Sequence, residues 1–188
     1  RPGRYEVIDP AGTVRNVRAQ TPAGQSLTLE KVDKTTWTVT TNGAREVEVR
    51  YSIYANSLAN RTRHVDDTHA FLSGSTVFFY VPERRRDPIY VHIDAPPDWK
   101  VATGMEAVGG NPRKLAAADY DVLADSPLEI GIHDLLTFDV DGKRHEIAIW
   151  GYAKYDAEKL KTDFAKIVKA QAAVFGNMPY NRYVFLIH

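Results

Sequence analysis

The sequence predicts a mainly β protein: an N-terminal antiparallel β-sandwich or saddle-like domain over residues 1–134, followed by a partial α+β segment over residues 135–188. Three observations carry this prediction. Up to the stretch Ala118 to Gly131, apolar and polar residues alternate in one short segment after another, the pattern of strands with one wet face. Asn42-Gly43 and Asp141-Gly142 are dipeptides that accept positive φ and so mark tight turns between strands. Only the stretch after Asp156 holds a long helical period, and it leads into the apolar run Arg182 to His188.

Taken in order, Arg4 to Ala19 reads as one or two short strands broken by a turn at Pro10 to Gly12. Ser26 to Val32 and Thr36 to Thr41 each show period-two patterning. Asn42-Gly43 is expected to join the latter to Arg45 through Tyr54, where Val47, Val49, Tyr51 and Ile53 alternate with polar residues, as a hairpin. Asn56 to Ser75 is polar and lacks a period, so it reads as a long loop, a kind of segment that often carries function. Thr76 to Val81 reads as a strand buried on both faces, and Glu83 to Asp87 as an exposed connection.

Ile89 to Ala95 alternates until Pro96-Pro97 forces the chain out of a ladder, and Trp99 to Thr103 is a short strand. Gly104 to Ala118 reads as a surface loop and Tyr120 to Leu123 as a strand. Beyond the junction, Leu136 to Val140 and Arg144 to Trp150 flank Asp141-Gly142 as a hairpin. Asp156 is a helix N-cap, and Leu160, Phe164, Ile167, Val168, Val174 and Phe175 recur on one helical face until Gly176 and Pro179 stop it. Arg182 to His188 has no wet face and reads as a central strand. Leu160, Phe164 and Ile167 are expected to be less buried than their spacing requires.

Composition excludes several classes. With 44% hydrophobic and 11% aromatic residues the chain has ample material for a core, which argues against disorder. Lys plus Arg and Asp plus Glu both number 24, so no net field favours nucleic acid or an anionic membrane. The absence of cysteine removes disulfides, thiol nucleophiles and thiolate metal sites, leaving His and carboxylates as ligands. No run approaches the roughly 18 apolar residues of a membrane span. The chain opens on Arg1 rather than Met, which is compatible with a removed export signal and a bacterial periplasmic or secreted location.

His64, Asp66, Asp67 and His69 form the best constellation of titratable groups. Their types suit zinc or general acid-base chemistry, but no third anchored ligand stands at a telling spacing, so a polar loop is the simpler reading. A role in contacting substrate, lent to a neighbouring domain, lies between the two. His145-Glu146 is not the start of a zinc helix, because position 149 is Ile149 and the alternation of Ile147 and Ile149 predicts a strand. No serine sits in a nucleophile elbow, and VGGNP at Val108 to Pro112 reads as a turn. The run Arg84 to Arg86 is expected to be solvated, and Asn60-Arg61-Thr62 fits a glycosylation sequon.

The segments RTRHVDDTHAFLSGSTVFFYVPE, YDVLADSPLEIG and KIVKAQAAVFGNMPYNRYVFLIH, in this order and spacing, resemble the glycyl aminopeptidase family of zinc metallopeptidases, which are gluzincins. The resemblance implies an N-terminal β domain before a thermolysin-like catalytic domain and often a PDZ domain. Arg144 to His188 would open the thermolysin-like domain, whose His-Glu-x-x-His helix has no counterpart here, so neither a catalytic residue nor a zinc ligand is assigned to this chain. Zinc belongs to the parent enzyme, where zinc-bound water would attack the peptide carbonyl with a Glu as base. The piece itself is expected to be inactive, a cleft wall and interdomain support for cleavage of N-terminal Gly or Ala. By position, Asp66, Asp67 and His69 would contact the substrate amine. The alternative is a non-catalytic β-sandwich module that binds protein or carbohydrate through residues 56–75.

Overall fold

The computed structural model describes residues 9–59 and 62–188. Residues 1–8, which include the start of the expected Arg4 to Ala19 segment, and residues 60 and 61 of the sequon lie outside the described residues. The architecture is mainly β, as the alternation requires. The chain divides into two compact units at Asn56 and Ser57, so the strands before that point form a unit of their own inside the expected 1–134 segment.

In the first unit a short 3₁₀ turn at Pro10–Thr13, capped by the Asp9 side chain, leads into β1 (Val14–Gln20). β2 (Ser26–Lys31), β3 (Trp37–Thr40) and β4 (Glu48–Ile53) complete an antiparallel sheet of order β3-β2-β1-β4. Ala19 and Leu27, register partners across β1 and β2, are its buried pair. The β1–β4 register slips between Arg15 and Arg18, where Asn16 adopts φ 54°, the signature of a bulge. Asn42 and Gly43 do turn with φ 50° and 81°, yet they close no hairpin, because β4 pairs with β1. Residues 41–47 separate β3 from β4, and a tight hairpin needs its strands to flank the turn directly.

The second unit begins at Ser57, within β5 (Asn56–Ser57), and continues with β6 (Arg63–Val65) and β7 (His69–Leu72), then α1 (Gly74–Val77). The expected loop 56–75 therefore contains three short strands, and the expected strand 76–81 begins as a helical turn with Tyr80 and Val81 exposed. β8 (Ile89–His92) and β9 (Lys100–Thr103) follow as expected. The expected loop 104–118 is a hairpin of β10 (Glu106–Val108) and β11 (Asn111–Ala117), turned at Gly109-Gly110 with φ 60° and 73°. The expected strand 120–123 is instead α2 (Tyr120–Asp125). Asp119 caps it by accepting from the Val122 amide at 3.0 Å, and Tyr120 and Leu123, one helical turn apart, are both buried.

β12 (Leu128–Gly131) completes a five-stranded sheet of order β5-β6-β7-β12-β9, and β10, β11 and β8 form a second sheet. Between them lies one core: Ala70 and Leu128 from the first sheet, Val91 and Leu115 from the second, and Leu123 from α2. Leu128 is fully buried, worth about 1.5–3 kcal/mol for such a side chain. Helix α1 approaches α2 so closely that a Cβ on Gly74 would clash with the Leu123 carbonyl oxygen. Arg84 to Arg86 are ion-paired rather than merely solvated: Arg84 with Asp87, Arg85 with Asp121, and Arg86 with Asp119 and Asp121.

The final layer is the expected hairpin, helix and strand. β13 (Asp134–Val140) turns at Asp141-Gly142, with φ 48° and 76°, into β14 (Lys143–Ile149). Helix α3 (Ala157–Phe175) is capped by Asp156, which accepts from the amides of Glu158 and Lys159, and ends at Gly176 in the left-handed region. β15 (Arg182–Ile187) pairs parallel to β14, the geometry that a helical crossover permits. Among the described residues β15 is an edge strand, not the central one expected, since the order is β13-β14-β15. Leu160 and Phe164 are half-buried and Ile167 is 53% exposed, in keeping with an apolar face that is incompletely covered. Among the described residues no helix is long and apolar enough to cross a membrane.

Candidate functional site

Side chains alternate across a strand, so the two faces of the β7–β12 pair differ. One face carries Ala70, Leu128 and Ile130 into the core. The other carries His69 and Phe71 from β7 with Glu129 from β12, and all three are buried. His69 stands opposite Gly131 and Phe71 opposite Glu129, which makes His69 and Glu129 diagonal neighbours. A Cβ on Gly131 would lie 2.8 Å from the His69 Cβ, so position 131 needs glycine opposite any side chain at position 69.

Glu129 has no exposed surface, and a buried carboxylate needs partners. It has two: His69 Nδ1 lies 2.9 Å from Oε1, and His188 Nε2 lies 2.8 Å from Oε2. As a carboxylate only accepts, both imidazoles donate. The His69 ring stacks on Trp150 with centroids 3.5 Å apart and planes 12° from parallel, and His188 meets Phe71 edge-on at 4.8 Å. With Nδ1 engaged, His69 Nε2 is buried without a hydrogen-bond partner among the described residues.

The turn before β7 brings His64 and Asp66 to the same place. Asp66 Oδ1 accepts from the Thr68 amide at 2.8 Å, the Thr68 hydroxyl at 2.6 Å and the His69 amide at 3.1 Å, while Oδ2 lies 3.0 Å from His64 Nε2. The Thr68 hydroxyl above all, then His64 and the two amides, holds the Asp66 carboxyl well below the ordinary carboxylate range. One ligating atom from each of His64, Asp66 and His69 lies within 4.8 Å of the other two. Asp67 is exposed at the tip of the same turn. The structure thus gathers His64, Asp66 and His69 into one cluster and leaves Asp67 on its rim.

Sequence reasoning missed Glu129, Trp150 and His188 as parts of this site. The one available signal was Glu129 itself, a lone acid between Leu128 and Ile130 in a strand. His145-Glu146, by contrast, is structural as expected: His145 is fully buried, with Nδ1 at 2.9 Å from the Lys143 carbonyl and Nε2 at 3.0 Å from the Tyr180 hydroxyl. Burial, the largest influence, would raise the Glu146 carboxyl, but the Arg182 hydrogen bond and the charges of Arg182 and Arg144 outweigh it and hold it below its ordinary value.

The fold and site define a mainly β domain with a buried imidazole–carboxylate cluster beside a helix-bearing layer. The chain belongs to the Peptidase M61 N-terminal domain family, which it matches over residues 1–132. It is also similar to the crystal structure of an aminopeptidase N family protein from Idiomarina loihiensis, with a TM-score of 0.89 and 30% sequence identity. That likeness covers 98% of this chain and 32% of the other, so the chain spans only that share of the solved structure. No curated protein matches it.

Proposed function

We propose that this chain is the N-terminal portion of a zinc-dependent, glycyl aminopeptidase-like enzyme that removes N-terminal Gly or Ala from peptides. The likeness to an aminopeptidase N family structure over 98% of the chain carries the reading, and the family match supports it. In this reading the chain forms a wall of the peptide cleft and supports a thermolysin-like catalytic domain that begins in residues 135–188, with a PDZ domain as a further partner. The family match ends at residue 132, beside that proposed junction.

The residues present do not fit a thermolysin-type zinc motif. Position 149 is Ile149, the segment is β14 rather than a helix, and both His145 nitrogens are engaged. No catalytic step through zinc is assigned to them.

In this reading the Asp66–His69 turn meets the substrate amine through Asp67, since His69 has no exposed surface. Asp66 is committed to the turn and His69 to Glu129 and Trp150, so these two fix the position of the exposed Asp67 carboxylate. A carboxylate there stabilises an ammonium, more strongly as a closing cleft excludes water. The full-length enzyme is expected to hydrolyse glycyl peptides in a chelator-sensitive way while the 188-residue chain does not; activity in the latter would overturn the reading. Asp67→Asn in the full-length enzyme is expected to raise KM about tenfold or more, as lost charge-assisted hydrogen bonds do. An unchanged KM removes Asp67 from the site.

A further inference from the structure

We propose that His64, Asp66 and His69 hold one divalent transition-metal ion of the zinc type. One ring nitrogen or carboxylate oxygen from each already lies within 4.8 Å of those of the other two. Zinc–nitrogen and zinc–oxygen bonds of about 2.0–2.2 Å in a tetrahedron set ligands roughly 3.4 Å apart, so closure by about 1.4 Å suffices. The Asp66 side chain is 41% exposed and that of His64 18% exposed, so both can rotate towards His69.

Each ligand is prepared by something other than the metal. Asp66 Oδ1 is taken by Thr68 and the His69 amide, which leaves Oδ2, now 3.0 Å from His64 Nε2, for the ion. With His69 Nδ1 turned to Glu129, Nε2 is the ring nitrogen left to bind an ion. That nitrogen is buried and has no hydrogen-bond partner among the described residues, a condition native structures rarely tolerate. A carboxylate behind a histidine is the arrangement that orients imidazole ligands and raises their basicity at metal sites. Stacking on Trp150 fixes the ring plane.

Two imidazoles and one carboxylate select zinc-type ions over calcium or magnesium, which prefer oxygen. Three protein ligands leave a fourth position for water. Binding by these residues is independent of any peptidase activity, because zinc alone and this chain alone are sufficient to measure it.

Calorimetric titration of the tag-free 188-residue chain with Zn²⁺ is expected to give one site per chain. His64→Asn is expected to lose affinity by about 100-fold or more, and Glu129→Gln, behind the ligand, by about 10–100-fold. Circular dichroism establishes that His64→Asn remains folded. If it does not fold, imidazole nitrogen NMR of the wild-type chain decides: His69 Nε2 must shift on zinc addition. Absence of a saturable site, full affinity in a folded His64→Asn variant, or an unmoved His69 Nε2 resonance overturns the assignment.

Discussion

Glu129 Oε1 lies 2.9 Å from His69 Nδ1 although the two residues are 60 positions apart in the chain. The link crosses the β7–β12 ladder diagonally, on the face opposite the apolar core. The same carboxylate also holds His188, so one buried side chain ties together a β7 imidazole and the residue just after β15.

Glu129→Ala should therefore cost stability well beyond the loss of one contact. It leaves two imidazole donors without their acceptor, one of them fully buried, and opens a void in a buried strand. Unsatisfied buried polar groups cost about 1–3 kcal/mol each, so a loss of about 3 kcal/mol or more is expected in urea unfolding. A loss below about 1 kcal/mol, the size of one ordinary hydrogen bond, contradicts the buried linkage.

Gly131→Ala tests the close approach beneath His69. The new Cβ meets the His69 Cβ at 2.8 Å and the Thr68 carbonyl oxygen at 3.3 Å. Overpacking of this kind costs about 1–3 kcal/mol. Because the clash is with Cβ, His69→Ala should not relieve it, whereas His69→Gly should relieve part of it. Rescue by His69→Ala in a double-mutant cycle would place the conflict in the ring instead.

His133 supplies a pH dependence. Burial above all, with some help from Lys100 and against the charge of Glu129, holds its imidazole below the ordinary value of 6.5. The native state thus takes up its proton at lower pH than the unfolded chain, so stability falls as pH drops below about 6.5, by at most about 1.4 kcal/mol per pH unit for one proton. Above that pH both states are neutral and the contribution vanishes. His133→Gln should flatten the stability profile on the acid side of 6.5 relative to wild type. Parallel profiles for the two proteins would refute the assignment.

Elements were legible in the sequence where their signals are local. Asp141-Gly142 lies between two alternating segments, and Asp156 and Gly176 bracket a helical period, so β13, β14 and α3 were readable. In α2, the sequence Tyr120-Asp121-Val122-Leu123 reads equally as alternation, and the Asp119 cap with burial at Tyr120 and Leu123 makes it a helix. Residues 104–118 look like a loop because their strands owe their pairing to distant β8 as much as to each other. Asn42-Gly43 misleads for the same reason: β4 finds β1, not its neighbour in sequence.

The sequence by itself determined the mainly β class, the final hairpin, helix and strand, and the presence of His64, Asp66, Asp67 and His69 in one short segment, because turn dipeptides, caps and periodicity act over a few residues. Only the tertiary structure decided that His69 is a fully buried ring, that Glu129, Trp150 and His188 surround it, and that Asp66 is spent on a turn while Asp67 faces solvent. Those relationships depend on the register of β7 against β12 and on where β14 and β15 end. A shift of a single residue in that register would turn every side chain of β12 to the opposite face, and local sequence patterns hold no record of which strand lies alongside.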